Sequence, residues 1–211
     1  LLANKYVATH LYTKNDKMPL PFRVHEEPSA EKVAEFAATA ANFGFNIDTT
    51  SFKSLAKSIN EMVAKVEGTL EGDILQPLAI RSMEKAYYTS KKTGHFGLAF
   101  EYYAHFTSPI RRYPDLITHR MLNDYLTKTK SFNYGEVERM AKHSSNQEQK
   151  AVSAERASTK YKQVEYLSGF KGVEFEGIIS GVTDWGIFVE IVENKCEGMV
   201  RLRDIPGDNY S

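Results

Sequence analysis

Residues 106 to 116 read FTSPIRRYPDL and set Arg111 and Arg112 side by side behind a Ser-Pro pair. Ser108 can cap a helix, and Pro109 can take the first helical position, where its missing N–H is no loss. Both guanidinium groups then stand at the positive end of a helix dipole, which favours carboxylates or phosphates and disfavours cations. The pair needs an anion. A guanidinium is always charged and can bind two oxygens of a carboxylate or phosphate at once. Asp115, three positions after Arg112, supplies a competing reading in which that half of the pair is a structural salt bridge. Ser108 is read first as a cap and second as a phosphate contact. Tyr103, His105, Phe106 and Tyr113 flank the arginines, and packing is their favoured role.

Composition narrows the class. The chain has 211 residues, 42% hydrophobic and 26% charged, which is enough for one large domain, or one domain and a small second one. Cys196 is the single cysteine, so an internal disulfide framework is excluded, and no apolar run is long enough to span a membrane. A cytoplasmic protein is expected. Net charge is zero, yet residues 96 to 171 hold 12 Lys and Arg against 8 Asp and Glu, while residues 172 to 211 hold 3 against 8. A modest basic bias centres on the arginine pair, as a polyanion site needs, but on the count alone ordinary surface charge is the favoured reading. His95, His105 and His119 lack zinc-like spacing and are read as hydrogen-bonding residues. Asp16, Asp48, Asp73, Asp115, Asp124, Asp184, Asp204 and Asp208 are scattered singly, unlike the cluster a hard cation requires, so no metal ligands are assigned.

The elements that position these residues follow from periodicity. Residues 1 to 94 read as mostly helical. Ser29 opens a helix with Val33, Phe36, Ala37, Ala40 and Phe43 at helical spacing, closed by Gly44; Leu55, Ile59, Met62, Val63 and Val66 mark a second, stopped at Gly68. A third is expected from about Asp73 to Ser90. HFGLAFEYYAHF, residues 95 to 106, has little helical period and is read as extended and partly buried. It delivers the chain to the arginines, after which a helix runs to about Lys130, with Pro114 as its alternative first residue. Gly135 to Leu167 reads as one long helix without a continuous apolar stripe; a solvated face is favoured over a groove lined by Ser144, Gln147, Lys150, Ser153, Arg156 and Lys160. Near Gly169 the pattern changes to the alternation of VEFEGIISGVTDWGIFVEI, with Gly177, Gly181 and Gly186 at bends or bulges. About three strands fit, too few to close a five-stranded barrel. Together with the opening LLANKYVATHL, which lacks an initiator Met, this predicts a portion of a longer chain.

HFGLAFEYYAHFTSPIRRYPDLITHRML, residues 95 to 122, resembles the signature of the RNB-domain exoribonucleases, the group that includes ribonuclease II and ribonuclease R. AER at 154 to 156 and the opening LLAN are similar to the family as well. The second part resembles an S-one type OB-fold, and the two in this order favour the ribonuclease R type. The resemblance implies an α+β chain: residues 1–170 as the helix-rich C-terminal part of an RNB catalytic domain, and residues 171–211 as the start of an incomplete OB-fold barrel. It implies a processive hydrolase that threads single-stranded RNA 3′ end first and releases nucleoside 5′-monophosphates with Mg2+. The aspartates that hold the metal in the family belong to the N-terminal part of that domain, so these residues alone are expected to lack the nuclease reaction. Arg111 matches the arginine at the scissile phosphate. Ser108, Arg112 and Glu155 are implied near RNA, and Trp185 and Phe188 match exposed aromatics on which bases stack. Arg201 stands where the family often has a histidine. A non-catalytic RNA-binding protein on the same framework is the alternative.

Overall fold

The segment that opens on LLAN is a helix, α1 (Leu2–Lys14), in a computed structural model that describes residues 1–14, 18–129 and 132–205. Asp16, Asp208 and the expected helix end near Lys130 lie outside those residues. A short strand, β1 (Phe22–Val24), precedes α2 (Ala30–Asn42), α3 (Phe52–Val66) and α4 (Leu70–Ser82). Their starts follow local chemistry: Ser29 accepts from the Lys32 N–H, Ser51 forms a reciprocal capping box with Ser54, and Thr69 accepts from the Gly72 N–H. Gly72 is required for its size, because a Cβ there would sit 2.1 Å from the Val66 carbonyl oxygen. The three helices close one core, built on Val33, Phe36, Ile59, Met62 and Leu75 and shared with Phe96.

The third helix is shorter than its periodicity suggests. Met83 turns to extended backbone, and residues 87–89 form a strand, β2 (Tyr87–Thr89), antiparallel to β1 with Arg23 opposite Tyr88. Two tyrosines and a threonine fit a pleated, half-buried surface better than a helix end, and Tyr88 becomes buried there. The stretch from 95 to 106 is extended only in part: a 3-10 turn at Phe96–Leu98 ends in left-handed Ala99, residues 101 and 102 form a bend, and Ala104 bridges to Phe22. Two further helices follow, α5 (Tyr113–Thr127) and α6 (Tyr134–Leu167). A second core joins Ala8 and Leu11 of α1, Phe22 and Val24 of β1, Ala104, Ile117 and Met121 of α5, and Val137 of α6. Ala104 and Ile117 are fully buried on either side of the arginines, so the loop between them is tethered at both ends.

The chain divides into two compact units, Leu1–Gln149 and Lys150–Ser211, with the boundary inside α6. In the second unit β3 (Gly177–Thr183), β4 (Gly186–Ile191) and β5 (Glu197–Arg201) form an antiparallel sheet in that order, with a register shift between Ile179 and Gly181. Gly186 admits no side chain: a Cβ would lie 2.2 Å from the Val200 carbonyl oxygen. The C-terminal half of α6 is solvated, with Lys150, Ser153, Arg156 and Lys160 exposed. Lys160 donates to the Glu197 carbonyl and Gln163 to the Lys195 carbonyl, tying this stretch to the sheet. Among the described residues no helix is long and apolar enough to cross a membrane.

Candidate functional site

Pro109, Ile110 and Arg111 form a turn in which the Ser108 carbonyl accepts from the N–H groups of Arg111 and Arg112. That turn does not become helix. A helix begun at Pro109 would require an N–H from Pro114, which has none. Arg112 instead adopts extended backbone as the N-cap of α5, with Pro114 in the first turn. Ser108 is therefore not the helix cap; its own N–H donates to Asp115 at 2.8 Å.

The two arginines meet different fates. Arg112 donates to Asp115 Oδ1 at 2.9 Å, and Asp115 is fully buried. Its charge is answered inside the protein. Arg111 is exposed, and its guanidinium has no hydrogen bond or ion pair among the described residues. Beside it, Ile110 projects with no burial at all. Among the described residues the loop thus presents one unpaired guanidinium, which favours an anion.

Behind the loop lies a layer of rings. The His119 ring stacks on Phe106 with centroids 4.1 Å apart and hydrogen-bonds the Phe106 carbonyl at 2.8 Å. Tyr88 and His105 share a hydrogen bond of 2.7 Å, the Arg23 guanidinium lies over the Tyr88 ring, and Arg23 pairs with Glu148 of α6. Residues absent from the sequence reading hold β2 to α6: Ser145 accepts from the Tyr88 N–H, and Glu138 accepts from Thr89 and Ser90. Asn4 of α1 accepts from the Phe106 and Thr107 N–H groups. The LLAN motif marks the place of Asn4, but its partners lie about a hundred residues away and leave no local signal.

Burial, followed by nearby His25 and Arg23, pushes His95 down to about 4; burial, followed by Arg112, pushes His105 down to about 4. The same burial pushes Tyr88 up to about 12. Both histidines are neutral in the folded state down to about pH 4, whereas in the unfolded chain they take up protons near pH 6.5. Between these values the unfolded state binds more protons, so stability is full above about pH 6.5 and falls as pH drops towards 4. Thermal melts across this window should show a declining midpoint, with a shallower decline for His105→Gln. Parallel curves would exclude His105 from the effect.

In the second unit Trp185 occupies the turn between β3 and β4 and is 79% exposed. Phe188 is half-buried on β4 and pairs with Gly181 and Met199, while Gly186 pairs with Arg201, so Phe188 and Arg201 share one sheet face. Arg201 is exposed and its side chain has no partner among the described residues. Glu155 is exposed on α6, likewise without a side-chain partner. Ser108, Arg111 and Arg112 are therefore gathered in one loop, and Phe188 and Arg201 on one sheet.

Residues 1–128 match the RNB domain, and residues 169–211 match the S1 RNA binding domain. The chain is 39% identical to ribonuclease R 1 of Lactococcus lactis subsp. lactis, over 100% of this chain and 26% of that protein. It is similar to the solved structure of Mycoplasma genitalium RNase R in complex with ribose methylated single-stranded RNA, with TM-score 0.83 and 33% identity over 98% of this chain and 33% of that one. Yeast Ssd1, a pseudonuclease, has TM-score 0.74 at 24% identity over 95% of this chain and 25% of its own, a likeness of fold alone. The chain spans only about a quarter to a third of the length of such relatives.

Proposed function

The chain belongs to the RNB-domain family, and we propose that it is the part of a ribonuclease R-type 3′-to-5′ exoribonuclease that supplies the phosphate-binding arginine and the start of an S1 barrel. The observation that carries this reading is the free guanidinium of Arg111 beside an Arg112 already neutralised by Asp115. Single-stranded RNA is the substrate, degraded processively to nucleoside 5′-monophosphates in the cytoplasm. Arg111 grips the scissile phosphate. Ser108, Glu155, Phe188 and Arg201 are secondary RNA contacts, and Arg112 acts chiefly by shaping the loop.

Magnesium is part of this reading, but the described residues of this chain do not fit it. Among the described residues no three His, Cys, Asp or Glu side chains converge. In this reading the ion is held by another part of the full-length gene product. The test is direct: with magnesium, the full-length product should release mononucleotides from unstructured RNA, and the 211-residue chain alone should not. RNA binding without release by the full-length product would overturn the nuclease reading and leave a binding role on the same fold.

Trp185 has a separable part. A base stacked on an exposed aromatic contributes about 1–3 kcal/mol. Trp185→Ala should weaken capture of RNA by about fivefold or more while single-turnover cleavage of bound RNA stays within about twofold of the parent. Unchanged affinity would remove Trp185 from the RNA path.

A further inference from the structure

We infer that Asn4 is a positioning residue for Arg111. This rests on the nuclease reading above. Asn4 is 4% exposed on α1, and its side-chain carbonyl accepts from the Phe106 N–H at 3.1 Å and the Thr107 N–H at 3.2 Å. Two N–H donors aimed at one atom fix which end of the amide faces the loop. The other end donates to the Tyr103 hydroxyl at 3.1 Å, and Tyr103 is itself buried. Asn4 is thus braced on one side and grips two successive amides on the other.

Those amides lie immediately before Ser108, the residue whose carbonyl closes the arginine turn and whose N–H is held by Asp115. His119 fixes the Phe106 carbonyl from α5. The loop is therefore clamped from α1 and α5 before the turn, and Asp115 of α5 holds the Arg112 side chain after it. Asp115 and His119 both stand on α5, the helix that follows the turn; Asn4 alone of the three comes from elsewhere in the chain. It sets where the loop stands relative to α1. The Arg111 side chain has no hydrogen bond or ion pair among the described residues, so its position depends on the backbone beneath it. A phosphate clamp displaced by about 1 Å loses on the order of a hundredfold in rate.

The experiment compares Asn4→Leu and Asn4→Asp in the full-length gene product. Leucine has similar bulk and no acceptor, whereas aspartate keeps acceptors for both N–H groups. Three readouts are taken: mononucleotide release from saturating unstructured RNA, RNA affinity, and hydrogen exchange of the peptide covering Phe106 and Thr107. Asn4→Leu should slow release by about 30- to 100-fold, leave affinity within about twofold, and speed exchange at the two amides. Asn4→Asp should restore all three. Unchanged exchange in Asn4→Leu, or rate and affinity falling together in both variants, would overturn the assignment. If Asn4→Leu does not fold, Asn4→Ala replaces it with the same expectations. Absence of release by the unsubstituted protein would instead overturn the nuclease reading, and exchange alone would then decide whether Asn4 holds the loop.

Discussion

Arg111→Ala in the full-length gene product should slow RNA hydrolysis by a factor on the order of a hundred to a thousand while RNA affinity falls no more than about threefold. The asymmetry follows from where the guanidinium stands. Arg111 is exposed and has no ion-pair partner among the described residues, so its removal leaves no buried charge behind and the fold should melt as before. An extended RNA touches many groups, and one phosphate contact is a small share of ground-state binding. In the transition state charge gathers on the oxygens of a single phosphate, and a fixed bidentate donor is then worth about 3–4 kcal/mol. Arg111→Lys keeps the charge without the fork and should recover only part of the rate. Single-turnover rates and equilibrium binding on the same preparations decide the matter. Parallel losses of rate and affinity would make Arg111 an ordinary backbone contact.

The contrast between neighbours explains what the sequence could and could not disclose. Spacing alone raised Asp115 as a partner for Arg112, and an i, i+3 pair is local enough to be seen that way. The helices α2, α3 and α6 were legible for the same reason, since caps and periodicity are properties of adjacent residues. The strand at Tyr87–Thr89 was not: its apolar positions continue a helical rhythm, and only pairing with β1, more than sixty residues earlier, turns it into a sheet edge. Ser108 misled because Ser-Pro does open a turn, which Pro114 then interrupts. The clamp on the loop was the least legible part. Asn4 and the Phe106 amide are separated by about a hundred positions, and no short-range pattern encodes such a contact.

Asp115 should prove the most sensitive structural residue of the loop. It is fully buried, it accepts from the Ser108 N–H and from Arg112, and Arg112 is itself mostly buried. Removing one member of such a pair leaves the other charge desolvated without its counterion, which costs about 3–5 kcal/mol for fully buried pairs. Arg112 retains 22% exposure, which places the expected loss for Asp115→Ala near the lower figure. For a chain of this size that lowers the thermal midpoint by roughly 6–12 °C. The loss has two parts that variants can separate. Asp115→Asn retains an acceptor for the Ser108 N–H but not the counterion, so it isolates the charge. Adding Arg112→Met to Asp115→Asn removes the stranded cation, and the double variant should be more stable than Asp115→Asn alone. If the two effects simply add, the ion pair carries no coupling, and Arg112 becomes available to RNA after all. If they compensate, Arg112 is committed to the loop, and the positive charge offered to a phosphate is that of Arg111.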